Sequence, residues 1–320
     1  MRCKGEQIDG RDMAAIEDGR PRFRIDMDGP GAGIAIMILT TAAFAASDST
    51  VKVIGVTVPL LVLLWVRYLF QMIVLGTWLA RAGDFASFRT ASVKLQVLRA
   101  ILLLTNSACT FAGLRFLPLP VTTSLAMMAP LISTMLAATL LKDDVPRSKW
   151  AMVVLGFIGM LLVVRPGGTA FTWTVIFPIA AATTFACFQV ISSHLSRTED
   201  PVTTNFLTAL VATIVLCVLV WMDQAETMPA IAQVSFGTWT LVALMATMAT
   251  LGQSLMLQAL KRTPLSVLTP FGYAQLAFAA FFSWAVFGQV PDKWMAIGMA
   301  VIAVSGIGTV LLHGRTQQQV

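Results

Sequence analysis

Apolar residues run in blocks of about twenty along most of this chain, and short stretches carrying charges, prolines or polar clusters separate them. That length matches a helix crossing the hydrocarbon core of a bilayer, since each helical residue advances about 1.5 Å. Ten blocks can be drawn: 32–53, 57–80, 97–116, 119–141, 150–165, 171–193, 203–222, 238–259, 264–287 and 294–312. Each is too long for a barrel strand, and only a helix satisfies its backbone hydrogen bonds within one segment, so ten transmembrane helices are expected.

Composition agrees: 57% of residues are hydrophobic and 12% charged, against about 25% charged in an ordinary soluble domain. The net charge of +6 does not imply a nucleic-acid partner, because Lys and Arg sit in short clusters between apolar blocks rather than along one stripe. Sorting those clusters by side gives an orientation. With the N-terminus inside, seventeen of the 22 Lys and Arg face the cytoplasm and four the opposite side, while Arg67 lies within a block. Residues 1–30 mix six basic with seven acidic side chains and hold no sustained apolar stretch, so they read as a cytoplasmic tail and not as a signal peptide.

The second half of the chain echoes the first. Leu117-Pro118-Leu119-Pro120 opens a block that ends at Val145-Pro146-Arg147-Ser148-Lys149-Trp150, and Thr263-Pro264-Leu265 opens one that ends at Val290-Pro291-Asp292-Lys293-Trp294. Each tryptophan begins a block with glycines that permit close helix packing, Gly156 and Gly159 in one and Gly298 and Gly306 in the other. Five blocks per copy is an odd number, so the second copy must be inverted in the membrane, an arrangement frequent in carriers. The fold class expected is therefore an all-α polytopic membrane protein with ten transmembrane helices in two inverted five-helix repeats. Residues 1–30 form the tail, 31–166 the first repeat, 171–313 the second, and 314–320 a short cytoplasmic end.

These features together resemble the drug/metabolite transporter superfamily, specifically its EamA-type members. Arg99 opens the third block, Pro118 and Pro120 precede the fourth, and Pro130-Leu131 interrupts it. Trp150, Gly156, Gly159 and Arg165-Pro166-Gly167 look like the end of a first EamA-type repeat. Pro270-Phe271-Gly272-Tyr273 and Phe287-Gly288-Gln289-Val290-Pro291-Asp292 are similar to stretches of the second. Relatives usually carry a glutamate at the ends of the fourth and ninth spans, where this chain has Asp143 and Gln289. The resemblance implies a transporter of small metabolites, with riboflavin uptake the first cargo expected. An S-adenosylmethionine or amino-acid-like metabolite is the alternative, and the implied location is a bacterial inner membrane with both termini cytoplasmic.

Ionic and polar groups inside apolar blocks are functional candidates, since lipid alone does not solvate them. Asp48 and Lys52 lie four apart, on one helix face, and could pair. Arg67 offers a rigid fork of donors suited to a carboxylate or phosphate, or to Asp48, with Gln71 one turn further on. Asn106 and Gln253 could bond a ligand or a neighbouring helix. Tyr273 and Gln275 are two apart and point to different faces of a regular helix; Tyr273 is preferred, as a ring that could stack on a flat cargo. Pro130 and Pro270 interrupt corresponding blocks and so point towards the binding region.

No catalytic set stands out, the two histidines are His194 and His313, and there is no Walker-type phosphate loop. The four cysteines have neither metal-ligand nor disulfide-framework spacing. An enzyme, a metal site, a cofactor and ATP-driven transport are accordingly not expected. The partners expected are a small-molecule substrate and the lipid bilayer, with no nucleic acid, and a homodimer is compatible with the pattern. An intramembrane enzyme or a non-transporting scaffold is the alternative of another class.

Overall fold

The computed structural model describes residues 30–82, 92–129, 131–132, 147–164, 173–195, 199–263, 268 and 271–317. Every regular element among the described residues is helical. In chain order they are α1 (Pro30–Ile54), α2 (Leu60–Ala82), α3 (Val93–Phe116), α4 (Leu119–Ala126) and α5 (Arg147–Val164), then a 3-10 turn (Trp173–Val175). There follow α6 (Ile176–Leu195), α7 (Pro201–Met222), α8 (Gln224–Ala232), α9 (Phe236–Arg262), α10 (Ala274–Phe287) and α11 (Lys293–Gln317).

Among the described residues six helices, α1, α2, α3, α6, α7 and α9, are long and apolar enough to cross a membrane, and shorter apolar helices run over Trp150–Val163, Ala274–Phe287 and Lys293–Ser305. The chain is thus a multi-pass membrane protein, helical throughout its described regular elements. Two features differ from a plain reading of the apolar blocks. The block expected at 119–141 begins as an eight-residue helix that stops in a turn at Met127 and Met128. The polar stretch after α7 carries the short helix α8, with Pro229 inside it.

Local chemistry explains several helix ends. Asp200 caps α7, its carboxylate accepting from the backbone N–H of Val202 and Thr203 at 2.9 and 3.3 Å, and Pro201 takes the first position, where no N–H is needed. Ser235 caps α9 through the N–H of Thr238. After α10, Gly288 adopts φ +64°. Its N–H reaches Trp284 O at 2.9 Å and that of Gln289 reaches Ser283 O at 3.1 Å, closing a left-handed cap that glycine alone tolerates easily. Asp292 then accepts from the N–H of Met295 at the start of α11. The Phe287–Asp292 stretch is therefore a tight corner between two helices, and Gln289 is exposed on it.

Packing joins early helices to late ones. α1 lies against α9, α2 against α7, α3 against α6 and α5 against α11. α1 also meets α10, α4 meets α6 and α10, α2 meets α9, and α3 meets α7. The four principal pairs run antiparallel: Phe44 sits at Gly252 and Ser47 at Met245, Trp65 at Cys217 and Gly76 at Phe206, Arg99 at Ser192 and Asn106 at Ala181, Met152 at Ser305 and Gly159 at Gly298.

In lipid, where burying apolar surface supplies no drive, such contacts rest on close approach at small residues. A Cβ added to Gly159 would stand 3.0 Å from Gly298 O and 3.0 Å from Ile302 N, both backbone atoms that cannot yield without moving a helix. Gly159→Ala is therefore expected to destabilise the fold by about 1–3 kcal/mol through overpacking, seen as a lower thermal midpoint of detergent-purified protein. Gly237→Ala, where no atom lies within 4 Å of the added carbon, should leave it in place. Equal midpoints for the two variants would contradict this packing.

Candidate functional site

Polar groups on α1, α2, α3, α9 and α10 converge on one cavity between the helices. About 620 Å3 of empty space, open solvent included, is lined by Asp48 from α1, Arg67 from α2, and Asn106, Ser107, Thr110 and Phe111 from α3. Phe44 of α1, Phe185 of α6, Gln253 of α9, Gln275 of α10 and the α4 face of Thr122, Thr123 and Ala126, continued by Met127, complete it. An adjoining cavity of about 450 Å3 shares Phe44, Met127, Phe185 and Gln275 with the first and adds Tyr273, Gly272, Gln189 and Met256.

Arg67 is 7% exposed and is held by neutral groups. Its Nη1 donates to Ser107 Oγ at 3.1 Å, and its guanidinium carbon lies 5.3 Å from the ring centre of Tyr68 and 5.5 Å from that of Phe111. Both rings can stabilise the cation through their π faces. Ser107 Oγ and the Tyr68 hydroxyl are 2.8 Å apart, and that hydroxyl donates to Leu103 O at 3.2 Å, so a chain of hydrogen bonds fixes Arg67 to α3. Its Nε has no partner. Gln71, one turn on, is fully buried, and neither atom of its amide has a partner.

Asp48 accepts from Gln275 Nε2 at 3.3 Å, which ties α1 to α10. Among the described residues no ion pair joins Asp48 to Arg67, although both face the same space. Asn106 Nδ2 donates to Ala181 O at 2.9 Å, so this side chain both bridges α3 to α6 and lines the cavity. Gln253 is buried with its Oε1 unpartnered. Beside it Gly252 lets the Phe44 ring come close, since a Cβ there would stand 2.7 Å from the ring.

Lys52 is placed elsewhere. Its Nζ donates to the main-chain oxygens of Leu114 at 3.0 Å and Leu117 at 2.7 Å, the carbonyl end of α3. Those oxygens lack helical donors because the chain breaks into Pro118, and an ammonium suits the negative end of a helix. The expected pairing with Asp48 thus gives way to a link between α1 and the α3–α4 corner.

Tyr273 and Gln275 both line the second cavity despite their spacing, with Tyr273 in the turn ahead of α10, which begins at Ala274. The assumption of a continuous regular helix through this stretch misplaced them. The buried Tyr273 hydroxyl has no partner. Pro130 and Pro270 themselves, like Asp143, lie outside the described residues. The neighbouring turns are described, at Met127–Met128 and at Tyr273, and each begins nine residues beyond the proline that opens its block, Pro118 or Pro264.

Sequence reasoning passed over three features. The rings of Phe44, Phe111 and Phe185 were indistinguishable from lipid-facing residues. Gln275 was set aside by a periodicity argument. Arg99 was noted only as the opening of a block, yet it is 0% exposed and anchors a polar cluster. Its Nε donates to Ser192 Oγ at 2.8 Å and its Nη1 to Thr204 O at 3.3 Å and to Thr208 Oγ1, with the Phe188 ring 4.6 Å away. Gln96, one turn earlier, donates to Glu199 and Thr204. Together these tie α3 to α6 and α7.

Comparison with known proteins agrees with this architecture. The model of a family described as the EamA-like transporter family matches the chain twice, at residues 31–165 and 172–311. The S-adenosylmethionine uptake transporter of Rickettsia bellii (strain RML369-C) is 24% identical over 276 residues, covering 84% of this chain and 90% of the relative. The riboflavin transporter of Vibrio cholerae serotype O1 is 25% identical over 284 residues, covering 86% and 92%. The pseudopaline exporter CntI of Pseudomonas aeruginosa is 22% identical over 276 residues, covering 86% and 94%. A solved crystal structure superposes with a TM-score of 0.63 at 16% identity, over 89% of this chain and 98% of its own, which shows a shared fold.

The placement of Lys52 has a direct consequence. Lys52→Met should leave two helix-end carbonyls without their donor and cost about 1–3 kcal/mol, lowering the thermal midpoint. Affinity for any cargo should stay within about twofold of the parent protein. A large loss of affinity at unchanged stability would move Lys52 into the site.

Proposed function

The chain belongs to the EamA-like transporter family, and we propose that it is a secondary carrier moving a small organic metabolite across a bacterial inner membrane by alternating access. The carrying observation is the convergence of Asp48, Arg67, Asn106 and Gln253, from four helices, on a single cavity. Ionic and amide groups are costly within a bilayer unless they meet water, one another or a ligand, and a shared cavity supplies that setting.

A ten-span arrangement of two inverted repeats accounts for the packing. Exchanging α1 to α5 with α6, α7, α9, α10 and α11, in order, turns each of the helix pairs described above into another of them or into itself. The antiparallel course of the principal pairs, and the two successive matches to one family model, support the same reading. Broken helices at corresponding positions of inverted repeats commonly flank a carrier's site, and the lining of one cavity by Met127 and Tyr273, both in turns, supports this reading. In this arrangement the two halves rock about the cavity, with both termini on the cytoplasmic side.

Riboflavin uptake is the first cargo reading, supported by the name of one set of relatives and by the rings of Phe44, Phe111 and Phe185 around the cavity. The name of another set makes S-adenosylmethionine the second, and the opposed charges of Asp48 and Arg67 favour it. The family and the named relatives are transporters, which supports transport over catalysis.

Uptake of radiolabelled riboflavin and of S-adenosylmethionine into proteoliposomes tests the reading. At least one should enter faster than into protein-free vesicles, and Arg67→Ala should slow that entry at least about tenfold, the loss of one charged hydrogen bond. Full transport by Arg67→Ala, or none by the parent protein, would contradict it. An imposed pH gradient identifies the driving force: coupling through Asp48 predicts acceleration that Asp48→Asn abolishes, and identical rates identify facilitated diffusion or exchange.

A further inference from the structure

Two seams join early to late helices at opposite ends of the bundle. α3 meets α7 where both begin, through Gln96 and Arg99 against Thr204 and Thr208. α2 meets α9, and the buried Val62 near the start of α2 shares one hydrophobic cluster with Val242 and Met245 near the start of α9. Because Trp65 sits at Cys217 and Gly76 at Phe206, α2 and α7 run antiparallel and their starts stand at opposite ends. The seams are counterparts in sequence as well: Arg99 stands nineteen residues before Pro118, and Met245 nineteen before Pro264.

Their chemistry differs. At one end Val62, Val242 and Met245 show that apolar packing is enough to close such a seam; at the other a fully buried guanidinium takes the equivalent place. Arg99 reaches across to Ser192 of α6 at 2.8 Å, and to Thr204 O at 3.3 Å and Thr208 Oγ1 of α7. Arg99 Nη2, Gln96 Oε1, Thr203 Oγ1 and Asn205 Oδ1 nevertheless stay buried without partners. Each such atom costs the closed seam free energy that water would return on opening, so this end is held by a network only partly satisfied. The network also touches the cavity wall. The Phe188 ring, 4.6 Å from the guanidinium carbon, stacks on Phe185 with centres 5.8 Å apart, and Phe185 lines both cavities.

We propose that Arg99 is a releasable latch, whose hydrogen bonds across the α3–α6–α7 seam hold the cytoplasmic end of the carrier shut and give way to water when the cavity opens to that side. The proposal rests on the carrier reading and the orientation given above. A conformational change needs an element with two arrangements of similar free energy, and a buried charge with donors and acceptors to spare provides one. Phe185 and Phe188 connect occupancy of the cavity to that element.

Met127 lines both cavities, so Met127→Cys in a background without native cysteines reports which way they face. Its rate of reaction with a membrane-impermeant maleimide is measured in inside-out and in right-side-out vesicles, and the ratio of the two rates is the readout. Thr208→Val and Ser192→Ala each take one acceptor from the guanidinium, and Arg99→Gln takes the charge. Each should raise the inside-out to right-side-out ratio about tenfold, the loss of one charged hydrogen bond. Met245→Ala, at the counterpart seam, should lower it. Opposite shifts from the two ends are a pattern that general loss of stability does not produce. Should Arg99→Gln fail to fold, the two hydroxyl variants still decide.

With the Met127→Cys parent reacting from both sides, an unchanged ratio in Thr208→Val and Ser192→Ala would overturn the latch and leave the carrier reading standing. A shift in the same direction as that of Met245→Ala would do the same. Reaction of that parent from one side only, or from neither, would overturn both.

Discussion

An ion inside a bilayer must find a partner other than lipid, and that single requirement orders this molecule. Asp48 and Arg67 sit on helices long and apolar enough to cross a membrane, and neither could remain there facing hydrocarbon. Helices from early and late in the chain surround them, so that lipid meets apolar flanks such as Ile73, Val74 and Trp78 of α2 while the charged face of the same helix turns inward. Arg99 obeys the requirement in another way, with hydroxyls, a carbonyl and the Phe188 ring packed around its guanidinium. Lys52 obeys it by capping the open end of α3.

The remaining architecture follows from bringing the helices close enough to do this. Glycines at crossings, such as Gly159 against Gly298 and Gly252 against Phe44, remove the side chains that would hold helices apart. Turns after α4 and ahead of α10 interrupt the regular helix beside the cavities. Those turns place Met127 and, just beyond, Gln275 on both cavities and Tyr273 on the second. Unpartnered polar atoms remain in both settings, Arg99 Nη2 and Gln96 Oε1 in the Arg99 cluster and Arg67 Nε, Gln253 Oε1 and the Tyr273 hydroxyl around the cavities.

Much of this was legible in the amino-acid order because hydrophobic length is a strong signal and a polar residue within an apolar block is conspicuous. Arg67, Asn106 and Gln253 were found by that contrast alone. What stayed hidden depends on distance between segments far apart in sequence. Nothing local to Lys52 reveals that a proline-broken helix sixty residues on will offer it two carbonyls. Phe44 and Phe185 look like any lipid-facing ring until α3, α4 and α9 close around them. Gln275 is hidden by a different cause, since a count along one ideal helix does not apply across the turn at Tyr273, one residue before the helix begins at Ala274.

The central claim is that these charges border a passage between two halves, reachable from either side of the membrane at different moments. Ala126 lines the cavity, and cysteine differs from alanine by one sulfur. In a background whose native cysteines are replaced, Ala126→Cys should react with a membrane-impermeant maleimide applied to right-side-out vesicles and, separately, to inside-out vesicles. Reaction from both sides is the result predicted; reaction from one side only, or from neither, would contradict the account.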